Sequence, residues 1–88
     1  MSGRTPRVVT LYRRPGCGLC DEAEELLRQL TNRLQFAIEA IDIEQDEALH
    51  RRYLLEIPVV AVGGREVARA PLYGPALADV LAEALGGP

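Results

Sequence analysis

Lysine and tryptophan are missing from this chain, histidine, methionine and phenylalanine each occur once, and there are two cysteines. No stretch approaches the ~18 consecutive apolar residues that a membrane-spanning helix requires. The opening Met1-Ser2-Gly3-Arg4-Thr5-Pro6 has no apolar core of the kind a signal peptide carries, so the expectation is a cytoplasmic protein that neither crosses nor binds a membrane. An excess of positive charge is also lacking. The formal net charge is −3, although all ten basic residues are arginine, and this weighs against a nucleic-acid partner. The lone histidine, His50, stands beside Arg51 and Arg52 in a helical stretch and reads as a surface residue rather than a base or a ligand. Two cysteines fall short of the four ligands that a zinc ion or an iron–sulfur cluster ordinarily takes, so no metal site is expected within one chain.

What is present is ordinary for a globular protein: 48% apolar and 26% charged residues in 88, enough for one small domain (residues 1–88) and no second core. There is no internal repeat, low-complexity run or linker. Arg7 to Tyr12 is short, β-branched and apolar, which suits a buried strand. Arg13-Arg14-Pro15-Gly16 breaks that pattern. From Cys17 onward Ala23, Leu26, Leu27, Leu30 and Leu34 recur at helical spacing, with Asp21, Glu22, Glu24 and Glu25 in the early turns where negative charge complements the helix dipole. Phe36 to Ile43 alternates as a second strand. This βαβ unit should have a right-handed crossover and parallel strands.

The second half is punctuated by proline and glycine. Asp46 to Leu55 reads as a short helix with Ala48, Leu49 and Tyr53 facing inward, stopped by Glu56-Ile57-Pro58 because the residue before proline disfavours helix. Pro58 to Val62 is a third strand, Gly63-Gly64 a two-residue hairpin turn, and Arg65 to Arg69 a fourth strand. Gly74-Pro75 opens a last helix with a stripe of Leu77, Val80, Leu81, Ala84 and Leu85, ended by Gly86-Gly87. The result is an α/β chain in the order β-α-β-α-β-β-α, the element sequence of a thioredoxin fold.

The chemistry concentrates at Cys17-Gly18-Leu19-Cys20, at the junction of the first strand and the long helix. Thiols three residues apart on a first helical turn share a face and can close a disulfide. The helix N-terminus favours the thiolate of the first. A C-x-x-C in a βαβ setting therefore points to thiol–disulfide exchange, with Cys17 as nucleophile and Cys20 as resolving thiol. Arg14, three residues before Cys17, supplies a cation that favours a thiolate and can meet a substrate carboxylate, with Arg13 a weaker candidate. Asp21 pulls the other way, since a carboxylate beside the pair disfavours a second negative charge.

Leu11 through Ala23, then Ile41-Asp42-Ile43, then Tyr53 and Glu56-Ile57-Pro58-Val59-Val60 resemble the short glutaredoxin-like proteins, over about residues 7 to 85. The resemblance implies a four-stranded mixed sheet of order 2-1-3-4 flanked by three helices. It also implies that Pro58 is cis beside the cysteines, and that Ile57 offers backbone N–H and C=O groups to a substrate strand. A disulfide-containing protein or small thiol is the expected substrate, a reductase the expected electron donor, and a monomer the expected state.

Typical glutaredoxins have Thr-Val before that proline and a Gly-Gly-x-Asp stretch after the fourth strand that holds glutathione. This chain has Glu56-Ile57 and Arg69-Ala70-Pro71-Leu72-Tyr73-Gly74 instead, and Leu19 replaces an aromatic residue before the second cysteine. No bound cofactor is expected, and glutathione is expected to be held weakly. The residues leave two other readings open: a metal or iron–sulfur carrier pooling cysteines across a dimer, and a binding module of the same fold whose cysteines do not cycle.

Overall fold

The β-branched run near the head of the chain becomes the central strand of a sheet. In the computed structural model, which describes residues 7–86, β1 (Val8–Arg13) pairs in parallel with β2 (Ala37–Asp42) and antiparallel with β3 (Val59–Val62). β4 (Arg65–Arg69) lies antiparallel outside β3, giving the order β2-β1-β3-β4. The leading Met1–Pro6 segment and Gly87 lie outside the described residues. Gly63 and Gly64 both take positive φ, +60° and +79°, which is the backbone that a tight two-residue hairpin demands. Opposite Val60 and Ala61, β4 carries one extra residue, Val67, so the pairing jumps from Ala68 to Glu66.

Helices cover both faces: α1 (Gly18–Leu34), α2 (Glu47–Tyr53) and α3 (Gly74–Ala84). Alternation along β1 sorts the core into two parts. Val9 and Leu11 point to one face, where Ala23, Leu27 and Leu30 of α1 and Leu77, Ala78 and Leu81 of α3 close over them with Val60. Tyr12 points to the other face and joins a smaller cluster of Ile43, Leu49, Tyr53, Ile57 and Val59. There the Tyr12 and Tyr53 rings stack at 4.6 Å between centroids.

Three local expectations differ from what forms. The second strand stops at Asp42, because the Asp42 carboxylate accepts from the Glu44 N–H at 2.9 Å and turns Ile43–Gln45 into a 3-10 helix. Asp46 then caps α2 through the Leu49 N–H at 3.0 Å. Ala48 is exposed rather than inward. With seven residues, α2 reaches the sheet only along Leu49 and Tyr53, four apart, and Ala48 falls off that line. Conversely Ala78, outside the anticipated stripe, is buried in the larger cluster.

Candidate functional site

β1 ends at Arg13, and the chain must reverse into α1 within a few residues. Gly16, at φ +75°, makes that reversal in a conformation other residues take with strain. Cys17 follows as the N-cap of the 17-residue helix α1, in extended backbone (φ −102°, ψ 105°). Its Sγ accepts the Cys20 backbone N–H at 3.2 Å, the place a serine or aspartate oxygen takes in an ordinary cap. The cap thus aims an orphan helix N–H at the sulfur, a position that favours negative charge there. Cys17 and Cys20 face each other as a disulfide pair with Cα atoms 5.2 Å apart. Cys17 is half-buried and Cys20 fully buried, so the two sulfurs differ in access as their spacing predicts.

The flanking charges arrange themselves differently from the sequence expectation. Arg13 donates to Asp21 at 2.7 Å and to Glu24 at 2.8 Å, with only 17% of its side chain exposed. The same guanidinium reaches the Arg14 carbonyl at 3.3 Å. It therefore staples the end of β1 and the loop to the first turns of α1. Its own affinity for the proton is raised, first by the Asp21 bond, with burial opposing and Glu24 adding. Asp21 was expected to oppose a thiolate beside it, but its charge is matched by Arg13. Arg14, the stronger cation candidate, turns toward the 3-10 helix and meets Glu44 at 3.9 Å, both side chains half exposed.

Pro58 directly precedes β3 at the same end of the sheet, because Val59 pairs with Tyr12 near the end of β1. The Ile57–Pro58 and Ala70–Pro71 peptides are both cis, and the Pro58 carbonyl accepts the Ala70 N–H at 3.2 Å. Pro58 is buried, while Ile57 is half-buried against the smaller cluster. One feature of Ile57 departs from the expected platform. Its N–H donates to the Tyr53 carbonyl at 3.0 Å, closing the turn that ends α2, so it is not free to pair with a substrate strand. The carbonyl is the strand-pairing group that remains.

Beside the cysteine pair lies a cavity of about 230 Å³, lined by Leu19, Glu22, Leu26, Pro58, Pro71 and Tyr73 among others. Leu19 is 59% exposed and Tyr73 66%. No sequence signal marked this hollow, since it is assembled from α1, the β3 entry and the β4–α3 loop. His50 sits half-buried in the middle of α2. Among the described residues, no three His, Cys, Asp or Glu side chains converge as a metal-binding group, and no helix is long and apolar enough to cross a membrane.

The profile of the glutaredoxin-like domain (DUF836) matches residues 8–85. A structural-genomics target protein from X. campestris, solved by X-ray methods, is 38% identical, with 86% of this chain and 97% of that one covered and a TM-score of 0.75. A protein from Nitrosomonas europaea, solved by NMR, is 30% identical over 90% of this chain and 96% of that one, with a TM-score of 0.73. A mutant thioredoxin from Halobacterium salinarum is 22% identical over 92% of this chain and 76% of that one, with a TM-score of 0.68, and shares the fold.

Proposed function

This chain belongs to the glutaredoxin-like domain family, and from that premise we propose that it is a thiol–disulfide oxidoreductase working through Cys17 and Cys20. The observation that carries the reading is the cap: a half-buried sulfur on the N-terminus of a long helix, receiving a backbone N–H, with a second sulfur fully buried one turn inward. In the reduced protein the Cys17 thiolate attacks one sulfur of a substrate disulfide. That S–S bond breaks, a mixed disulfide to Cys17 forms, and the other substrate sulfur leaves as a thiolate. Cys20 then loses its proton and attacks the Cys17 sulfur, releasing the second substrate thiolate. Two electrons pass to the substrate and the Cys17–Cys20 disulfide remains. A thiol donor, or a reductase that acts on disulfides, returns it to the dithiol in a reducing compartment such as the cytoplasm.

Substrate is held by Arg14, exposed enough to exchange Glu44 for a substrate carboxylate, and by the Ile57 carbonyl next to Pro58, which can accept one main-chain N–H from an extended peptide. Glutathione is a weak ligand in this reading. Pro71 has no N–H, the Gly-Gly-x-Asp stretch is absent, and the Ile57 N–H is already used. Equilibrating the protein in dithiol–disulfide buffers and following the Cys17–Cys20 couple by alkylation and mass spectrometry tests the proposal. A reversible two-electron couple is expected. A pair that never cycles, or that transfers no electrons to any disulfide, sinks it. Parallel reduction of the oxidised protein by glutathione and by a thioredoxin reductase system then identifies the donor.

A further inference from the structure

The hollow beside the cysteines has a chemical character of its own. Its walls are aliphatic and aromatic, no basic residue lines it, and the charged residue in its lining is Glu22, which is exposed. The neighbouring carboxylates Asp21 and Glu24 are both engaged by Arg13, whereas Glu22 finds no cationic partner among the described residues. Tyr73, two-thirds exposed, also lines the hollow. At about 230 Å³ the space lies below the ~300 Å³ at which sites for drug-sized ligands begin, and it suits a single side chain. Aliphatic walls for a stem, with a tyrosine and an unmatched, exposed carboxylate in the lining, are what a long cationic side chain requires.

We propose that this cavity receives an arginine or lysine of a protein substrate, within two residues of the disulfide cysteine that Cys17 attacks. The proposal rests on the thiol–disulfide reading above and names the substrate class for it. The reach follows from the chain: Leu19 lies between the two cysteines and Ala23 one turn beyond Cys20, so the hollow begins where the pair ends. An extended peptide advances about 3.3 Å per residue, so a neighbour one or two places from the bound cysteine arrives over it. The same carboxylate works against ligands that present acid groups there, and so separates basic-flanked protein disulfides from small acidic thiols.

The test is a set of peptide disulfides identical except for one residue next to the cysteine: arginine, leucine or glutamate. Each is reduced in a single turnover by the prereduced, full-length protein, whose Cys17–Cys20 dithiol supplies both electrons. The arginine peptide should react about tenfold faster than the glutamate peptide, with leucine between, from a partly exposed ion pair plus a cation–π contact. The advantage should shrink in high salt. Glu22→Gln should narrow the arginine–glutamate gap, Glu22→Arg should reverse the order, and Tyr73→Ser should lower the arginine rate selectively. Equal rates across the three peptides, or a gap untouched by Glu22→Gln and Glu22→Arg, overturn the cationic pocket while leaving the redox reading intact. Failure to reduce any of the peptides removes the redox reading, and the pocket with it.

Discussion

Arg13 holds Asp21 at 2.7 Å, which matches the charge of the carboxylate directly after Cys20. The last residue of β1 thereby sets the electrostatics of a helix turn eight residues later, and through Glu24 it ties the strand end to a second turn of the same helix.

Removing that cation should expose the Cys17 sulfur to an unmatched neighbour. Arg13→Gln is expected to slow alkylation of reduced Cys17 at neutral pH by about two- to fivefold, the scale of one partly screened charge. The double variant Arg13→Gln/Asp21→Asn should recover most of the loss. Rates of iodoacetamide labelling for the three proteins decide it, and recovery by the double variant separates charge from a loosened loop.

The two thiols should behave differently when the second step is blocked. Cys20→Ser should accumulate a mixed disulfide on Cys17, while Cys17→Ser should stay inert, because Cys17 is the accessible sulfur and Cys20 is fully buried. Intact-mass analysis after exposure to a disulfide substrate reads both outcomes. An adduct on Cys20 would mean that the roles are reversed.

Glutathione mixed disulfides should turn over slowly. Each lost hydrogen bond to a charged group is worth ~1.5–3 kcal/mol, so a single missing donor weakens binding about tenfold or more. The expected outcome is a KM for glutathionylated substrate at least tenfold above that of a typical glutaredoxin measured alongside. Turnover equal to that reference, abolished by Arg14→Ala, would contradict the account of the Ile57 and Pro71 backbone.

Far from the cysteines, Glu66 accepts from Arg52 at 2.7 Å and from the Tyr53 hydroxyl at 2.8 Å. These partners, Arg52 first, hold its carboxyl below the ordinary value of 4.5. A carboxyl lowered by folding stabilises the protein fully above its unfolded value and loses that contribution as pH falls through its folded one. Wild type should therefore outlast Glu66→Gln in urea at neutral pH, and the gap should close as pH drops below about 4.5. A gap independent of pH would assign the difference to packing instead.

The parts of this molecule that were legible in sequence are those carried by short-range pattern. The Cys17–Cys20 spacing, the Leu27 and Leu30 stripe, the Gly63–Gly64 turn and the Gly74-Pro75 helix start each depend on residues within a turn of one another, and all four stand where their pattern puts them. What escaped depends on closure across longer stretches. Arg13 chose Asp21 and Glu24 only because α1 folds back over the end of β1. The Ile57 N–H is used because Leu54–Glu56 form a closing turn where the pattern continues the helix to Leu55, and a proline-directed break does not reveal its hydrogen bonds. Ala48 was misplaced because a seven-residue helix has too few turns for its periodicity to settle which face is inward.

The two clusters that sandwich the sheet are unequal, and that inequality divides the molecule into a firmer and a softer side. Cys17 and Cys20 stand on a helix rooted in the large cluster, whereas Ile57 hangs from the small one, under a helix of barely two turns with Leu55 beside it 95% exposed. Local opening starts where few apolar contacts hold the backbone. The cysteine pair thus has a stiff mount, while the turn that carries Ile57 into β3 has a more compliant one. If the proposed exchange holds, a fixed anvil faces a sprung jaw: the backbone beside Pro58 can adjust to the shape of a substrate while the sulfurs keep their geometry.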